Sequence, residues 1–329
     1  MKLFGYALSC IQKMTVTVTV TVTLTVFAVL TVAHADNRSD AESFKNKGNE
    51  LLGKGKIDEA IEAYKKAVEA DSTYAFAFNN LGIALYDKGD YAGSAEQLKK
   101  AIALDENYAK AYNNLGNAYM ALGDFSSARE NFEKSIELEP GFEQKYTNLG
   151  NALYAQGEVD SAVVAYRKSL DINQSKAPAF NNLGTALLAK GEIEEAKEQF
   201  RTAIKLDSRY VSANVNMAIA LFDNGNGDAN RALDYLKQAV KFEKDNVLVL
   251  YNLGLVHLNL GEAKEAVKHL RDAVRIEPDD ADMLYAYGLA LAETKNFRLA
   301  AQNFQKALTI DPEYQNAQIA LDIVQPPKK

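Results

Sequence analysis

The sequence predicts an all-α fold, a right-handed superhelical solenoid built from eight helix-turn-helix units and a capping helix. Three observations carry that prediction. Asn79–Asn80–Leu81–Gly82, Asn113–Asn114–Leu115–Gly116, Thr147–Asn148–Leu149–Gly150 and Asn181–Asn182–Leu183–Gly184 recur every 34 residues. Small residues hold three fixed places in each period, with bulky ones between them. Glycine or proline marks the points where helices must stop. A fixed period in this range means stacked units sharing one elongated core, in place of a globular domain.

The N-terminal segment reads as an export signal. Lys2 and Lys13 precede an uncharged stretch, Thr15 to Val32, then Ala33–His34–Ala35 and the polar run Asp36 to Asp40. Positive flank, apolar centre and small-x-small end predict cleavage after Ala35, so residues 1–35 are a signal peptide and 36–40 a short linker. From Thr15 to Val22 the centre alternates Thr and Val, a strand-like period, but a lone strand in a bilayer cannot satisfy its backbone. The alternative is an uncleaved inner-membrane anchor, since the stretch approaches spanning length. Seven threonines within it favour cleavage. Cys10 precedes the apolar stretch, which excludes a lipoprotein reading. Either way the repeats are expected outside the cytoplasm, in the periplasm of a Gram-negative bacterium.

Units are numbered from Ala41 and run 41–74, 75–108, 109–142, 143–176, 177–210, 211–246, 247–280 and 281–314. Position 8 is glycine in seven units, from Gly48 to Gly288, and Ala218 in the sixth. Position 20 is Ala60, Ser94, Ala128, Ala162, Ala196, Ala232, Ala266 and Ala300, and position 27 is alanine or serine throughout. Position 24 is always large, from Tyr64 to Phe304, and position 4 is aromatic in the first five units. Small opposite large is a knob-and-hole code for two closely crossing helices. Position 15 is glycine from Gly55 through Gly261, with Lys295 in the eighth unit. Glycine there supplies a left-handed cap after the first helix. Pro140, Pro278 and Pro312 at position 32 stop the second helix. The sixth unit departs, with Asn214 at position 4 and two extra residues around Gly225 to Asn230. That loop lacks the alternating carboxylates and closing glutamate of an EF-hand, so it reads as a longer turn. Residues 315–329 read as a capping helix and tail, with Leu321 and Ile323 facing inward and Pro326–Pro327 ending it.

The pattern of a bulky residue at 4, Leu-Gly at 7 and 8, Ala at 20, an aromatic at 24, Ala at 27 and Pro at 32 resembles the tetratricopeptide repeat (TPR) family. The resemblance covers nearly all of the chain after residue 40. It implies a binding scaffold whose first helices line a concave groove, and leaves the partner open. Position 6 on those helices is Asn46, Asn80, Asn114, Asn148, Asn182, Asn216 and Asn252, a ladder of carboxamides with donors and acceptors suited to an extended peptide backbone. The repeats are similar to those of O-GlcNAc transferase, where such asparagines hold peptide main chain, but no catalytic domain is expected here. The competing reading is that asparagine is simply frequent at this position. Lys45, Asn49, Asn80 and Lys110 match four of five positions of the carboxylate clamp of heat-shock chaperone adaptors. The fifth, arginine in those adaptors, is Asn114, so a coincidental match is favoured over contact with a peptide carboxylate. Phe76, Tyr251 and Tyr285 also face the groove or its rim, for ligand side chains or for packing.

Composition removes other classes. Net charge is −7, from 37 basic and 44 acidic residues, with no basic run for nucleic acid or anionic lipid. Loss of residues 1–35 removes Lys2 and Lys13 and no acid, and leaves −9. One cysteine allows no intrachain disulfide and no thiolate metal site. His34 lies in the signal, and His257 and His269 form no metal or nucleophile motif. Glu194–Glu195 and Asp279–Asp280 are adjacent in sequence and do not converge on a helix. The expectation is a non-catalytic protein- or peptide-binding scaffold without cofactor or metal, with self-association open. The alternative is a substrate-delivering subunit of a separate glycosyltransferase or protease.

Overall fold

The computed structural model describes residues 37–222 and 227–325. The signal stretch, its cleavage site, Gly225 and Pro326–Pro327 lie outside the described residues. Seventeen helices and no strand occur among those residues, so the fold is all-α, with the helix pairs that the repeats predict. They form two compact units that part after Ala152.

The first unit holds α1 (residues 37–53), α2 (Ile57–Ala70), α3 (Ala75–Lys88), α4 (Tyr91–Leu104), α5 (Ala109–Leu122), α6 (Phe125–Leu138) and most of α7 (Glu143–Ala155). Residues 37–40, expected as a linker, are the first turn of α1. Arg38 there donates to Asp71 at 2.8 Å. Helix starts are fixed locally: Asp90 accepts from the Gly93 N–H and Asp124 from the Ser127 N–H, each satisfying a donor the helix leaves open. Helix ends are fixed by Gly89 at φ 90° and Gly123 at φ 77°, where a side chain would be strained. After the second helices, Asp71 and Asp105 at position 31 accept from the backbone two residues on, which makes a tight turn.

The knob-and-hole code is met in detail. A Cβ on Gly116 would stand 2.5 Å from the Phe132 ring, and one on Gly82 would stand 2.6 Å from Leu98. Position 8 is therefore glycine because the position-24 side chain of the next helix occupies that space. Ala60, Ala128 and Ser94 at position 20 are fully buried. Ser94 shows that size rules there, for its hydroxyl is buried with no partner. Ser135 at position 27 donates to the Ala109 carbonyl at 2.7 Å.

The second unit holds α8 (Val159–Ile172), α9 (Ala177–Ala189), α10 (Ile193–Leu206), α11 (Val211–Phe222), α12 (Ala229–Phe242), α13 (Val247–Asn259), α14 (Ala263–Ile276), α15 (Ala281–Glu293), α16 (Phe297–Ile310) and α17 (Gln315–Val324). The same code recurs, with Phe200, Leu236, Leu270 and Phe304 fully buried. Lys295 takes the left-handed conformation at φ 63° where other units place glycine. Asn214 is buried and donates to the Tyr210 carbonyl at 3.0 Å, so the amide is tied within its own helix. Asp228, in the longer turn, accepts from the Arg231 N–H and starts α12. Its carboxylate is a cap, as the plain-turn reading requires. On α17, Ala317 and Ala320 are buried and Leu321 packs beside them, but Ile323 is 74% exposed. The inward placement expected for Ile323 is thus corrected. Residues two apart on a helix point about 200° from each other, so Leu321 and Ile323 cannot share a face.

Candidate peptide-binding groove

In the first unit, α3, α5 and the start of α7 line an open groove of about 740 Å³. Its floor is Asn79, Asn80, Asn113 and Asn114, its rim Phe76, Tyr108 and Phe142, and Lys110 projects at the edge. Positions 2, 5, 6 and 9 of the first helices therefore face this surface. Phe76 and Phe142 are half exposed. The Phe76 ring lies 5.0 Å from Tyr108 and 6.0 Å from Tyr74. Burial, and then the charge of Asp105, pushes the Tyr108 hydroxyl up to about 12, so it remains protonated. Tyr108 and Phe142 occupy position 34, a place the sequence reading did not single out. The aromatic run Tyr74, Tyr108, Phe142 at one repeat position was the available signal.

Several of the position-6 carboxamides bond sideways, from one first helix to the one before it. Asn80 donates to Asn49 at 3.0 Å, and Asn114 to Asn79 at 2.9 Å. Asn148 donates to Asn113 at 3.1 Å and Asn117 at 3.2 Å. In the second unit Asn216 donates to Asn181 at 2.9 Å and Thr185 at 3.2 Å. Each of these four position-6 amides thus reaches back to position 5 or 9 of the preceding first helix. These bonds fix the carboxamides in place and leave the Oδ1 atoms of Asn114 and Asn216 unengaged. Asn182 is also bonded. Asn46 is exposed without a partner among the described residues, and Asn252 turns back to the Leu248 carbonyl of its own helix at 2.7 Å. The ladder as an inter-helix device therefore does not include Asn252.

Of the clamp-like residues, Asn49 and Asn80 bond each other and Lys45 is engaged by a tyrosine. Asn49 accepts from both Asn80 and Tyr64, and Lys45 donates to Tyr74 at 3.2 Å. Lys110 makes no ion pair among the described residues. Lys145 at position 3, small and apolar in most units, is buried. Its Nζ donates to the carbonyls of Ser135 and Glu139 and to the Glu139 carboxylate at 3.0–3.1 Å. It caps the end of α6, where a cation is favoured, and forms part of the groove wall.

In the second unit, consecutive first helices α9, α11, α13, α15 and α17 touch in sequence. Positions 5 and 9 change chemistry along them, from Asn181 and Thr185 to Tyr251 and Leu255, then Tyr285 and Leu289. His257 replaces the usual leucine at position 11. It is buried, its Nδ1 lies 2.6 Å from Glu262, and its ring stacks on His269 at 5.5 Å. No group of three His, Cys, Asp or Glu side chains suited to a metal ion occurs among the described residues. No helix among them is long and apolar enough to cross a membrane.

Family models described as TPR repeat match residues 48–89, 84–123, 150–191 and 184–225, and those described as tetratricopeptide repeat match 109–142, 225–280 and 251–314. The chain belongs to the tetratricopeptide repeat family. No curated protein sequence matches it. Among solved structures it is similar to a chain of the APC/C hetero-tetramer Cut9-Hcn1, at 19% identity and a TM-score of 0.66 over 85% of this chain. It spans about half of that chain, 54%. It is also similar to MamA, at 32% identity over 49% of this chain and 94% of that one, TM-score 0.47. A third similar structure is YrrB, a TPR protein with an unusual peptide-binding site: 24% identity, 58% of this chain, 97% of that one, TM-score 0.48.

Proposed function

We propose that this chain is a non-catalytic scaffold of the cell envelope that takes an extended protein segment into the groove of its first unit. The observation that carries the reading is the floor of fixed carboxamides, Asn79, Asn80, Asn113 and Asn114, beneath the exposed rings of Phe76 and Phe142. A carboxamide already held by its neighbour loses little further freedom when it meets a ligand backbone. The rings supply apolar contact for side chains on either side of that backbone. The envelope setting rests on the N-terminal sequence pattern, and N-terminal sequencing of the exported protein should read Asp36.

The mature chain is expected to capture partners from an envelope extract. Phe76→Ser with Phe142→Ser should remove at least about tenfold of that capture at unchanged helicity, roughly the worth of one buried aromatic contact. Undiminished capture by a folded double variant would move the binding surface away from this groove.

A further inference from the structure

The inner face of the second unit differs from the groove just described. On α13, α15 and α17 positions 5 and 9, mostly amides in the first unit, are filled by Tyr251, Leu255, Tyr285, Leu289, Ile319 and Ile323. Ile319 and Ile323 sit at positions 5 and 9 when α17 is counted as the first helix of a ninth unit. They are 58% and 74% exposed, and Leu248 at position 2 of α13 is 60% exposed. Leu248 on α13 and Ile319 and Ile323 on α17 thus stand in solvent, with the half-buried Tyr251, Leu255, Tyr285 and Leu289 on α13 and α15.

The turns that border this face are acidic. Residues 243–246, 277–282 and 311–314 carry eight carboxylates and one base, Lys244. Asp282 accepts from the Tyr314 hydroxyl at 2.5 Å, and the Tyr285 and Tyr314 rings lie 5.2 Å apart. The charges of Asp282 and Asp280 also reach Tyr251: burial first, and then these two, push its hydroxyl up to about 12. Asp282 therefore stands beside the rings of this face, with Asp280 at the start of the same helix. None of Asp245, Asp279, Asp280, Asp282 or Glu313 has a cationic partner among the described residues.

We infer that this face is a docking site for a cationic amphipathic helix of a partner protein. The apolar side chains at positions 5 and 9 offer few donors or acceptors for an extended backbone, whereas a helix satisfies its own backbone and presents only side chains. An apolar stripe on that helix covers Leu248, Leu255, Leu289 and Ile319. Its lysines or arginines meet the carboxylates of the bordering turns, which steers approach and sets orientation. The inference rests on the reading that the first helices receive partners, but it concerns a second surface with a different occupant.

The test uses the full mature chain and three labelled synthetic helical peptides: leucine face with lysines, leucine face with glutamates, and serine face with lysines. The leucine–lysine peptide should bind at least about tenfold tighter than either other peptide. Leu248→Ser with Ile319→Ser, and separately Asp279→Asn with Asp282→Asn, should each weaken it several-fold while helicity stays unchanged. Glu194→Gln with Glu195→Gln, on α10, should leave it unaltered. Equal binding of the two leucine peptides overturns the inference, as does an effect of the α10 variant equal to that of Asp279→Asn with Asp282→Asn. The Phe76→Ser and Phe142→Ser variant separates the two surfaces. It should keep the leucine–lysine peptide, and its loss of extract partners bears only on the first groove.

Discussion

The first unit and the last helices of the second use the same packing code beneath opposite inner faces. In both, a position-8 glycine receives a position-24 side chain and the position-20 residue is fully buried. In the first unit the inner face is amide, cross-linked from helix to helix. On α13, α15 and α17 it is aromatic and aliphatic. The difference teaches that core and ligand face are separate variables in a repeat. Core positions see the same neighbour in every unit and keep their size. Inner positions meet only the neighbouring first helices and solvent, so their chemistry can change while the small-and-large core pairs stay the same.

The sharpest test of the shared code has the largest expected effect. Gly116→Ala in the first unit and Gly254→Ala in the second should each destabilise by about 1–3 kcal/mol, because the new Cβ meets Phe132 or Leu270. Glu198→Leu, at an exposed position of α10, should be nearly neutral in the same melts. A neutral Gly254→Ala beside a costly Gly116→Ala would mean the two units are not packed alike.

Next in size is the ladder. Asn148→Ala removes bonds to Asn113 and Asn117 on the preceding first helix and should cost about 0.5–1.5 kcal/mol. Asn252→Ala breaks only a bond within α13 and should cost less. Equal losses in chemical denaturation would erase the distinction between bridged and unbridged rungs.

The smallest expected effect is a difference in acid response. Asp71 in the first unit is buried, which opposes its charge, yet the hydrogen bonds from Thr73 and Arg38 hold it at about 2, below its ordinary 3.8. Its contribution is full above the unfolded value and fades only as pH falls toward 2. His269 in the second unit is lowered from 6.5, first by burial and then by His257 and Lys268, against the opposing charges of Glu265 and Asp272. Its folded form resists the proton that the unfolded form accepts. Its contribution is full above about 6.5 and is lost as pH falls from there through the lower folded value. Hydrogen exchange followed from about pH 7 to pH 5 should show the helices around α14 opening before those around Asp71, and His269→Gln should remove the difference. The first unit opening first would reverse the assignment.

Much of the fold was legible because it is written eight times. A glycine at one place in one helix says little, but Gly48, Gly82, Gly116, Gly150 and Gly184 opposite large residues specify a crossing. One part of the change in inner-face chemistry was legible too, in Tyr251 and Tyr285 at position 5. Other features were not. Lys145 looks like a surface lysine in sequence, and only the fold brings its Nζ to the end of α6. The clamp resemblance of Lys45, Asn49 and Lys110 likewise gave no hint that Asn49 is engaged by Tyr64 and Asn80.

By itself the sequence determined the period, the turns between helices and the small-and-large core pairs of each unit, because these depend on neighbours within about one repeat. Only the tertiary structure decided what the asparagines do. A carboxamide at position 6 could face a ligand, its own helix or the helix before it. The choice depends on which acceptor lies within hydrogen-bond reach once the first helices are side by side. For Asn114 and Asn148 that acceptor is 35 residues back in the chain, and for Asn252 it is 4.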